Sequence, residues 1–161
     1  RHTGALGSAQ TLGLMNESAL RDLGLSEGLL QHLREYKLSS PLAFRVQPAQ
    51  HWQSSPIAQR SIVPLWECCN TLTYFDPGSA TYRRCSLEDI NSDWFRYRSL
   101  QAVLAVLFIE LYEDELPSTE LASLASQVGF RHAERLIEEA ENLPQEAYQS
   151  WATAFPLACE A

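Results

Sequence analysis

The sequence is poor in positive charge. Lys and Arg together number 12 against 20 Asp and Glu, which gives a formal net charge of −8 at pH 7. Nucleic acids and anionic membrane surfaces attract proteins mainly through Lys and Arg, so this balance argues against direct binding to either. It is compatible with a basic protein partner, because a field of one sign steers association. The alternative is that the acidic residues serve solubility alone.

Long apolar runs are also absent. The longest stretch, Leu100 to Leu111, is interrupted by Gln101 and Glu110 and is much shorter than the roughly 20 residues that span a bilayer. The first residues contain no apolar segment of the kind that marks a secretory signal. We therefore expect no transmembrane segment and a cytoplasmic, reducing location.

Methionine occurs once, at Met15. We expect Met15 to be the native start and residues 1–14 to be a foreign or disordered tail; the alternative is an authentic segment that has lost its first residue. With 45% apolar residues, 7 glycines and 8 prolines in the whole chain, residues 15–161 are expected to form a single domain with a sizeable core.

Cysteine is scarce, and its spacing does not match that of a metal site. Three of the four cysteines, Cys68, Cys69 and Cys85, lie in the segment 61–90. Structural zinc sites use C-x2-4-C knuckles, whereas adjacent cysteines in a strand point to opposite faces, and no second knuckle follows here. We expect no metal, no disulfide framework, and thiols that pack as small apolar groups.

No motif of a common catalytic site is present. A Cys or Ser nucleophile needs a base within hydrogen-bond reach, and the histidines at positions 2, 32, 51 and 132 are spread along the chain. The G-x-S-x-G, H-E-x-x-H, G-x-G-x-x-G and Walker-type patterns are missing. We predict no enzymatic activity and no cofactor. An enzyme that uses carboxylates such as Glu110 or Asp76 is the alternative, because spacing in sequence does not reveal distance in space.

The middle of the chain is rich in Thr, Tyr and Phe, which is typical of strands. Strands are predicted over 42–46, 62–66, 72–76 and 80–85. The Asp-Pro-Gly-Ser segment at 76–79 predicts a tight turn in which Gly78 supplies a positive φ. Residues 86–89 predict a single helical turn, and residues 47–60 an irregular loop with Trp52 packed onto the body.

Helical patterns begin and end the chain. Two short helices separated by Gly24 are predicted near the start, with Asn16 and Ser26 as their N-caps. From Ser99, itself a possible N-cap, apolar residues recur with helical spacing and predict a long core helix that lies across the sheet. Three more helices are predicted over 117–129, 131–141 and 145–155. The fold class is therefore α+β, with a central, mainly antiparallel sheet, a hairpin at about 71–85, and flanking N-terminal and C-terminal helices.

Without a catalytic pattern, the aromatic and acidic residues around the hairpin become the candidates for contact with a partner protein. Aromatic side chains provide contact area, and acids provide steering and specificity. The candidate partner-binding residues are Glu67, Asp76, Tyr82, Glu88, Asp89, Trp94 and Tyr97. Trp66, together with one of Tyr74 or Phe75, is expected in the core instead.

Four features follow one another between residue 61 and about residue 113. They are the run Ile62-Val63-Pro64-Leu65-Trp66-Glu67, a strand pair that contains Tyr74 and Tyr82, an acidic turn at Glu88-Asp89 followed by Trp94, and a long apolar helix that ends in Leu111-Tyr112-Glu113. In this order they resemble members of the SUKH superfamily (the SMI1/KNR4 type), many of which are bacterial immunity proteins.

The resemblance implies an α+β domain without catalytic residues or a cofactor. Its function would be to neutralise, in the cytoplasm, a toxin that a neighbouring cell delivers and that is often a nuclease. An acidic surface fits this role, because a nuclease site must be basic to hold phosphates. Proteins of this type also act as adaptors or regulatory scaffolds, and that is the alternative function.

Overall fold

The computed structural model describes residues 15–160, so the expectation for residues 1–14 lies outside the described residues. The helices in this range are α1 (Glu17–Asp22), α2 (Glu27–Arg34), α3 (Leu100–Glu113), α4 (Ser118–Val128), α5 (Ala133–Glu141) and α6 (Tyr148–Ala158). The strands are β1 (Val63–Cys68), β2 (Thr71–Asp76), β3 (Thr81–Ser86) and β4 (Asp89–Tyr97). Short 3-10 turns cover His51–Ser54, Pro56–Gln59 and Gln145–Ala147. The predicted α+β class is confirmed.

Local capping chemistry determines where the helices begin. The side chain of Asn16 accepts a hydrogen bond from the Ala19 amide (3.1 Å) at the start of α1. Ser26 and Ser99 cap α2 and α3 in the same way. The side-chain hydroxyl of each accepts a hydrogen bond from the backbone amide three residues later. Gly24, between α1 and α2, takes a φ of 97°, which a residue with a side chain rarely adopts. These predicted caps and the predicted break are confirmed.

The four strands form one antiparallel sheet in the order β1-β2-β3-β4. The predicted hairpin is its centre, with β2 and β3 paired from Thr71↔Ser86 to Asp76↔Thr81. In the connecting turn the positive φ belongs to Ala80 (55°) and not, as predicted, to Gly78. The Asp76 carboxylate accepts a hydrogen bond from the Gly78 amide (3.2 Å), so a side chain helps to close this turn.

Strand β4 is absent from the prediction, and the helical turn predicted over 86–89 is wrong. Leu87 and Glu88 instead form a tight turn, in which the Glu88 amide donates to the Ser86 hydroxyl (3.2 Å). The pairing of β3 with β4 shifts register twice on either side of Cys85. These shifts break the alternation of buried and exposed side chains by which a strand is recognised.

The strand predicted over 42–46 is also wrong. This segment folds into successive turns, in which the Ala43 amide donates to the Ser40 carbonyl and the Val46 amide to the Leu42 carbonyl. Only Gln47, beyond the segment, pairs with the sheet, through an isolated bridge to Glu67. A short apolar run does not distinguish a strand from a turn whose apolar residues are buried.

Helix α3 is the predicted core helix, and the structure confirms this. Eight of its residues are buried, and it contacts α4, α5, α6 and strand β4. The main core that it anchors includes Leu65, Trp66 and Tyr82 from the sheet. No helix within residues 15–160 has the length and apolar content needed to cross a membrane.

The other face of the sheet is covered only in part. A smaller apolar cluster, which includes Leu72, Tyr74 and Cys85, packs there against Ile57 of the loop that precedes β1. Trp52 of the same loop is partly buried against this cluster, as predicted. The loop therefore covers part of the outer face, and the remainder of that face is left as a groove.

Candidate functional site

The seven residues predicted to bind a partner lie in three different environments. Glu88, Asp89 and Trp94 are exposed, and Trp94 exposes 61% of its surface. Asp76 and Tyr97 are half-buried. Glu67 and Tyr82 are only 1% and 5% exposed, which corrects their prediction as contact residues, since a buried side chain is not available to a partner.

Glu67 is buried because it holds the loop that precedes β1. Its carboxylate accepts hydrogen bonds from the amides of Gln50 (2.9 Å), His51 (3.2 Å) and Trp52 (2.9 Å). The Nδ1 atom of His51 lies 2.9 Å from the same carboxylate. Three backbone donors therefore compensate the buried charge, and Glu67 is a cap for the first 3-10 turn.

Tyr82 and Tyr97 belong to the helix-facing side of the sheet. They are direct cross-strand partners, and each ring packs on a phenylalanine: Tyr82 on Phe75 and Tyr97 on Phe95, with centroid distances of 4.9 Å in both cases. Burial raises the pKa of both phenols. Their role in this fold is packing.

Asp76 is committed to the hairpin turn. The Ser79 hydroxyl donates to its carboxylate (2.7 Å), the Gly78 amide does the same, and Arg83 lies 3.3 Å away. The Ser79 hydroxyl has the largest effect in lowering the pKa of Asp76. The carboxylate is therefore stably charged and partnered within its own hairpin.

Three exposed residues, Glu88, Asp89 and Trp94, lie on strand β4 or in the turn before it and are called the β4 edge here. Strand β4 is the last in the sheet order, and within residues 15–160 it pairs only with β3. No other strand of the described residues pairs with its outer side, although Arg60 donates to the Ile90 carbonyl near its start, and Trp94 adds a large apolar side chain. Asp89 is the first residue of β4, and Glu88 precedes it in the tight turn.

Three of the four cysteine thiols are too basic to be ionised at neutral pH. All four are free thiols, of which Cys85 and Cys159 are buried. Burial raises the pKa of Cys68, Cys85 and Cys159 to about 11, so these thiols are protonated at neutral pH. In the described part of the chain, no three or more His, Cys, Asp or Glu residues cluster as a metal site would require.

The expectation that Cys68 and Cys69 point to opposite faces of a strand does not hold. Strand β1 ends at Cys68, and Cys69 takes a φ of 55° in the turn that follows. Burial is the main cause of the raised pKa of Cys68, and the nearby Cys69 thiol adds to it. The turn conformation, rather than strand alternation, therefore places this pair.

Glu110, the carboxylate of most interest in the core helix, is held in an ion pair. Both terminal nitrogens of Arg84 donate to the Glu110 carboxylate (2.9 and 3.3 Å), and the Nε of Arg84 donates to the Thr73 hydroxyl. Arg45 lies 3.7 Å from Glu110 and binds Asp114 with two contacts of 2.8 Å. The Glu110 carboxylate is therefore engaged by two arginines of the surrounding structure.

Five carboxyl groups in the described structure have displaced pKa values. Their pKa values are lowered, chiefly by hydrogen bonds from neighbouring side chains. These groups are Glu17, Glu27, Asp76, Asp114 and Glu139. Among residues 15–160, none of the histidines is hydrogen-bonded to a Ser, Thr or Cys side chain; the His32 ring contacts the Val46 carbonyl, and burial lowers its pKa.

A groove of about 670 Å³ remains on the outer face of the sheet. It is called the outer groove here and is defined by Arg60, Tyr74, Asp76, Arg83, Asp93 and Arg96. Asp93 lies between two of the arginines, 3.5 Å from Arg83 and 3.0 Å from Arg96. Burial raises the pKa of Tyr74, as does the nearby Asp93 carboxylate. Of these residues only Asp76 was predicted to contact a partner; the groove as a whole could not be predicted, because its residues come from the loop and from three strands.

Comparisons with protein-family models, with curated proteins and with solved structures find no match for this chain.

Proposed function

We propose that this protein binds and neutralises a protein toxin in the bacterial cytoplasm, in the manner of the SUKH immunity proteins that its sequence resembles. The observation that carries the proposal is the β4 edge. It combines exposed Trp94 and Asp89 on the last strand of the sheet with exposed Glu88 in the turn before it, and in the described structure no second strand pairs with the outer side of β4. Catalysis is not part of the proposal, and no cofactor is required.

Trp94 is the side chain best suited to anchor such a complex. A tryptophan contributes a large apolar area when a partner covers it, and interface hot spots are enriched in this residue. Its neighbours on the β4 edge, Glu88 and Asp89, would form a charged rim that steers a basic partner.

The acidic balance of the chain favours a basic toxin, and a nuclease in particular. A nuclease binds phosphates through Lys and Arg, so an acidic protein competes for the same charges. The net charge of −8 raises the rate of encounter with such a partner, and the rate falls as salt screens the charges.

A second candidate function is that of an adaptor or regulatory scaffold. The β4 edge supports this function as well, because an open strand edge accepts an extended segment of any suitable protein. The identity of the partner separates the two functions.

The first prediction concerns Trp94. Tagged protein is used to capture its partner from the native organism, and the captured protein is identified by mass spectrometry. A toxin domain encoded next to this chain supports immunity, whereas a host protein with no toxin nearby supports the adaptor.

We expect Trp94→Ala to weaken binding of the captured partner by roughly 30-fold or more, since a hot-spot truncation costs about 2 kcal/mol.

Leu157→Ala is the matched control, because Leu157 is similarly exposed (55%) but lies on α6. It should bind the partner as the unaltered protein does. Equal binding by Trp94→Ala and Leu157→Ala would contradict the assignment of the β4 edge.

A further inference from the structure

The outer groove concentrates positive charge in an acidic protein. Three arginines line it together with two aspartates, which leaves one positive charge uncancelled. Arg83 and Arg96 are paired with Asp76 and Asp93. Arg60 instead donates to uncharged oxygens, namely the Ile90 carbonyl (3.2 Å) and the Asn91 side chain (2.6 Å). The uncancelled charge is therefore that of Arg60.

Tyr74 provides a second and independent indication of a ligand. Its side chain is 1% exposed, and its hydroxyl has no hydrogen-bond partner within the protein. Buried hydroxyls nearly always have one, and an exception calls for an explanation. The hydroxyl lies under the groove, where Arg60, Arg83 and Asp93 are its charged neighbours. An anion at this point would give the hydroxyl its missing acceptor.

We propose that the outer groove binds a carboxylate group of a peptide, with Arg60 as its ionic partner and the Tyr74 hydroxyl as its hydrogen-bond donor. One uncancelled positive charge matches a carboxylate, which carries one negative charge. A phosphate would bring a second negative charge close to Asp76 and Asp93. The groove is lined in part by strand β4 but includes none of the three residues of the β4 edge, and the proposal does not depend on a toxin partner.

The size of the groove favours a peptide over an isolated anion. A volume of about 670 Å³ far exceeds that of one carboxylate, and Ile62, Pro77 and Ile90 offer apolar contact to the rest of the ligand. The hydroxyl is covered in the free protein, so the ligand must displace a side chain at the rim. Arg60 and Arg96, both exposed, are the long side chains that can move.

The second prediction is tested with four probes added to ¹⁵N-labelled protein at constant ionic strength, and binding is followed by amide chemical shifts. The probes are an end-blocked Gly-Glu-Gly tripeptide, an acetylated Gly-Gly-Gly tripeptide with a free terminal carboxylate, an end-blocked Gly-Gln-Gly tripeptide, and inorganic phosphate. We expect saturable shifts at Gly78 and Asn91 with at least one carboxylate peptide, and none with the glutamine peptide. If the Gly-Glu-Gly peptide binds more tightly, the ligand carboxylate belongs to a side chain. If the acetylated Gly-Gly-Gly peptide binds more tightly, it belongs to a chain terminus.

Two variants link these shifts to the proposed atoms. Tyr74→Phe and Arg60→Gln should each weaken the binding of the carboxylate peptide by roughly tenfold or more, because each substitution removes a hydrogen bond to a charged group. Tyr74→Phe should leave the unfolding midpoint of the ligand-free protein unchanged or raised, because the hydroxyl has no partner there. Arg131→Gln removes the same charge as Arg60→Gln at an exposed position outside the groove and should bind normally.

Several results would overturn the proposal. They are an absence of shifts with both carboxylate peptides, equal shifts with the glutamine peptide, and tighter binding of phosphate than of either carboxylate. A Tyr74→Phe variant that binds normally, or that is less stable without ligand, would remove the role of the hydroxyl.

Discussion

Glu67 lies on a strand next to Trp66, and both side chains are buried. Side chains alternate between the two faces of a strand, so the expected burial of Trp66 predicts that Glu67 is exposed. The loop that covers the outer face changes this result by supplying three amide donors from 15 to 17 residues away. A contact between such distant residues leaves no periodic signal in the sequence. The prediction was therefore right for Trp66 and wrong for Glu67.

The third prediction concerns Glu67. Glu67→Ala should lower the free energy of unfolding by about 3 kcal/mol, because it leaves buried amide donors without an acceptor. Urea denaturation measures this loss. Glu88→Ala, which removes the same charge from an exposed position in the neighbouring hairpin, should change the free energy by less than about 0.5 kcal/mol. Equal stability of the two variants would show that the loop is held by other contacts.

At the scale of elements, the features that depend on a few adjacent residues could be predicted. Asn16, Ser26 and Ser99 cap helices because each has a side-chain oxygen at the right place before a helical pattern. The β2–β3 hairpin was predictable for the same reason, since a turn sequence separates two runs of strand-forming residues.

Strand β4 shows why other elements could not be predicted. Its first five residues include Asp89, Asn91, Ser92 and Asp93, which are polar and have little preference for strands. The strand forms because β3 offers an edge and because the register shifts near Cys85 accommodate the mismatch. Both causes are tertiary, and so the element that carries Trp94 was recognised only as part of an acidic and aromatic segment.

The fourth prediction concerns the crossing of α2 and α4. A Cβ atom at Gly28 would lie 2.1 Å from the Gln127 carbonyl oxygen, so the two helices meet too closely for any side chain. Gly→Ala within a helix normally stabilises by up to about 1 kcal/mol. Here Gly28→Ala should destabilise by about 1–3 kcal/mol, because the helices must separate.

Thermal and urea unfolding of Gly28→Ala check this expectation. Gly78→Ala is a suitable control, since a Cβ there would meet only Asp76 Oδ1 at 3.5 Å, an ordinary contact. Its stability should change by less than about 0.5 kcal/mol. A Gly28→Ala variant as stable as this control would show that the crossing adjusts without cost.

For the whole molecule, the sequence pattern predicted the fold class better than it predicted which residues meet on the surface. A core helix across an antiparallel sheet follows from the order of helical and strand patterns. The outer groove does not, because Arg60, Arg83 and Arg96 meet only when the loop and two strands are packed together. Of the predicted contact residues, Glu88, Asp89 and Trp94 are exposed, Asp76 and Tyr97 are half-buried, and Glu67 and Tyr82 are buried.

At this scale we propose a protein that acts by covering another one. The Glu110 and Asp76 carboxylates are held by hydrogen bonds within the fold, and the buried Cys85 thiol is protonated at neutral pH. The exposed Trp94 and the acidic balance support this proposal, because such features favour contact with a partner protein. Such a protein acts in proportion to its amount, whereas an enzyme acts repeatedly.

The fifth prediction turns this difference into a measurement, namely titration of the activity of the captured toxin domain with the purified protein. We expect inhibition to increase linearly with the amount of added protein and to become complete at one molecule per toxin molecule. The toxin should remain chemically unchanged, and the degree of inhibition should not depend on incubation time. Complete inactivation at a small fraction of that ratio, with a covalent change in the toxin detected by mass spectrometry, would contradict it.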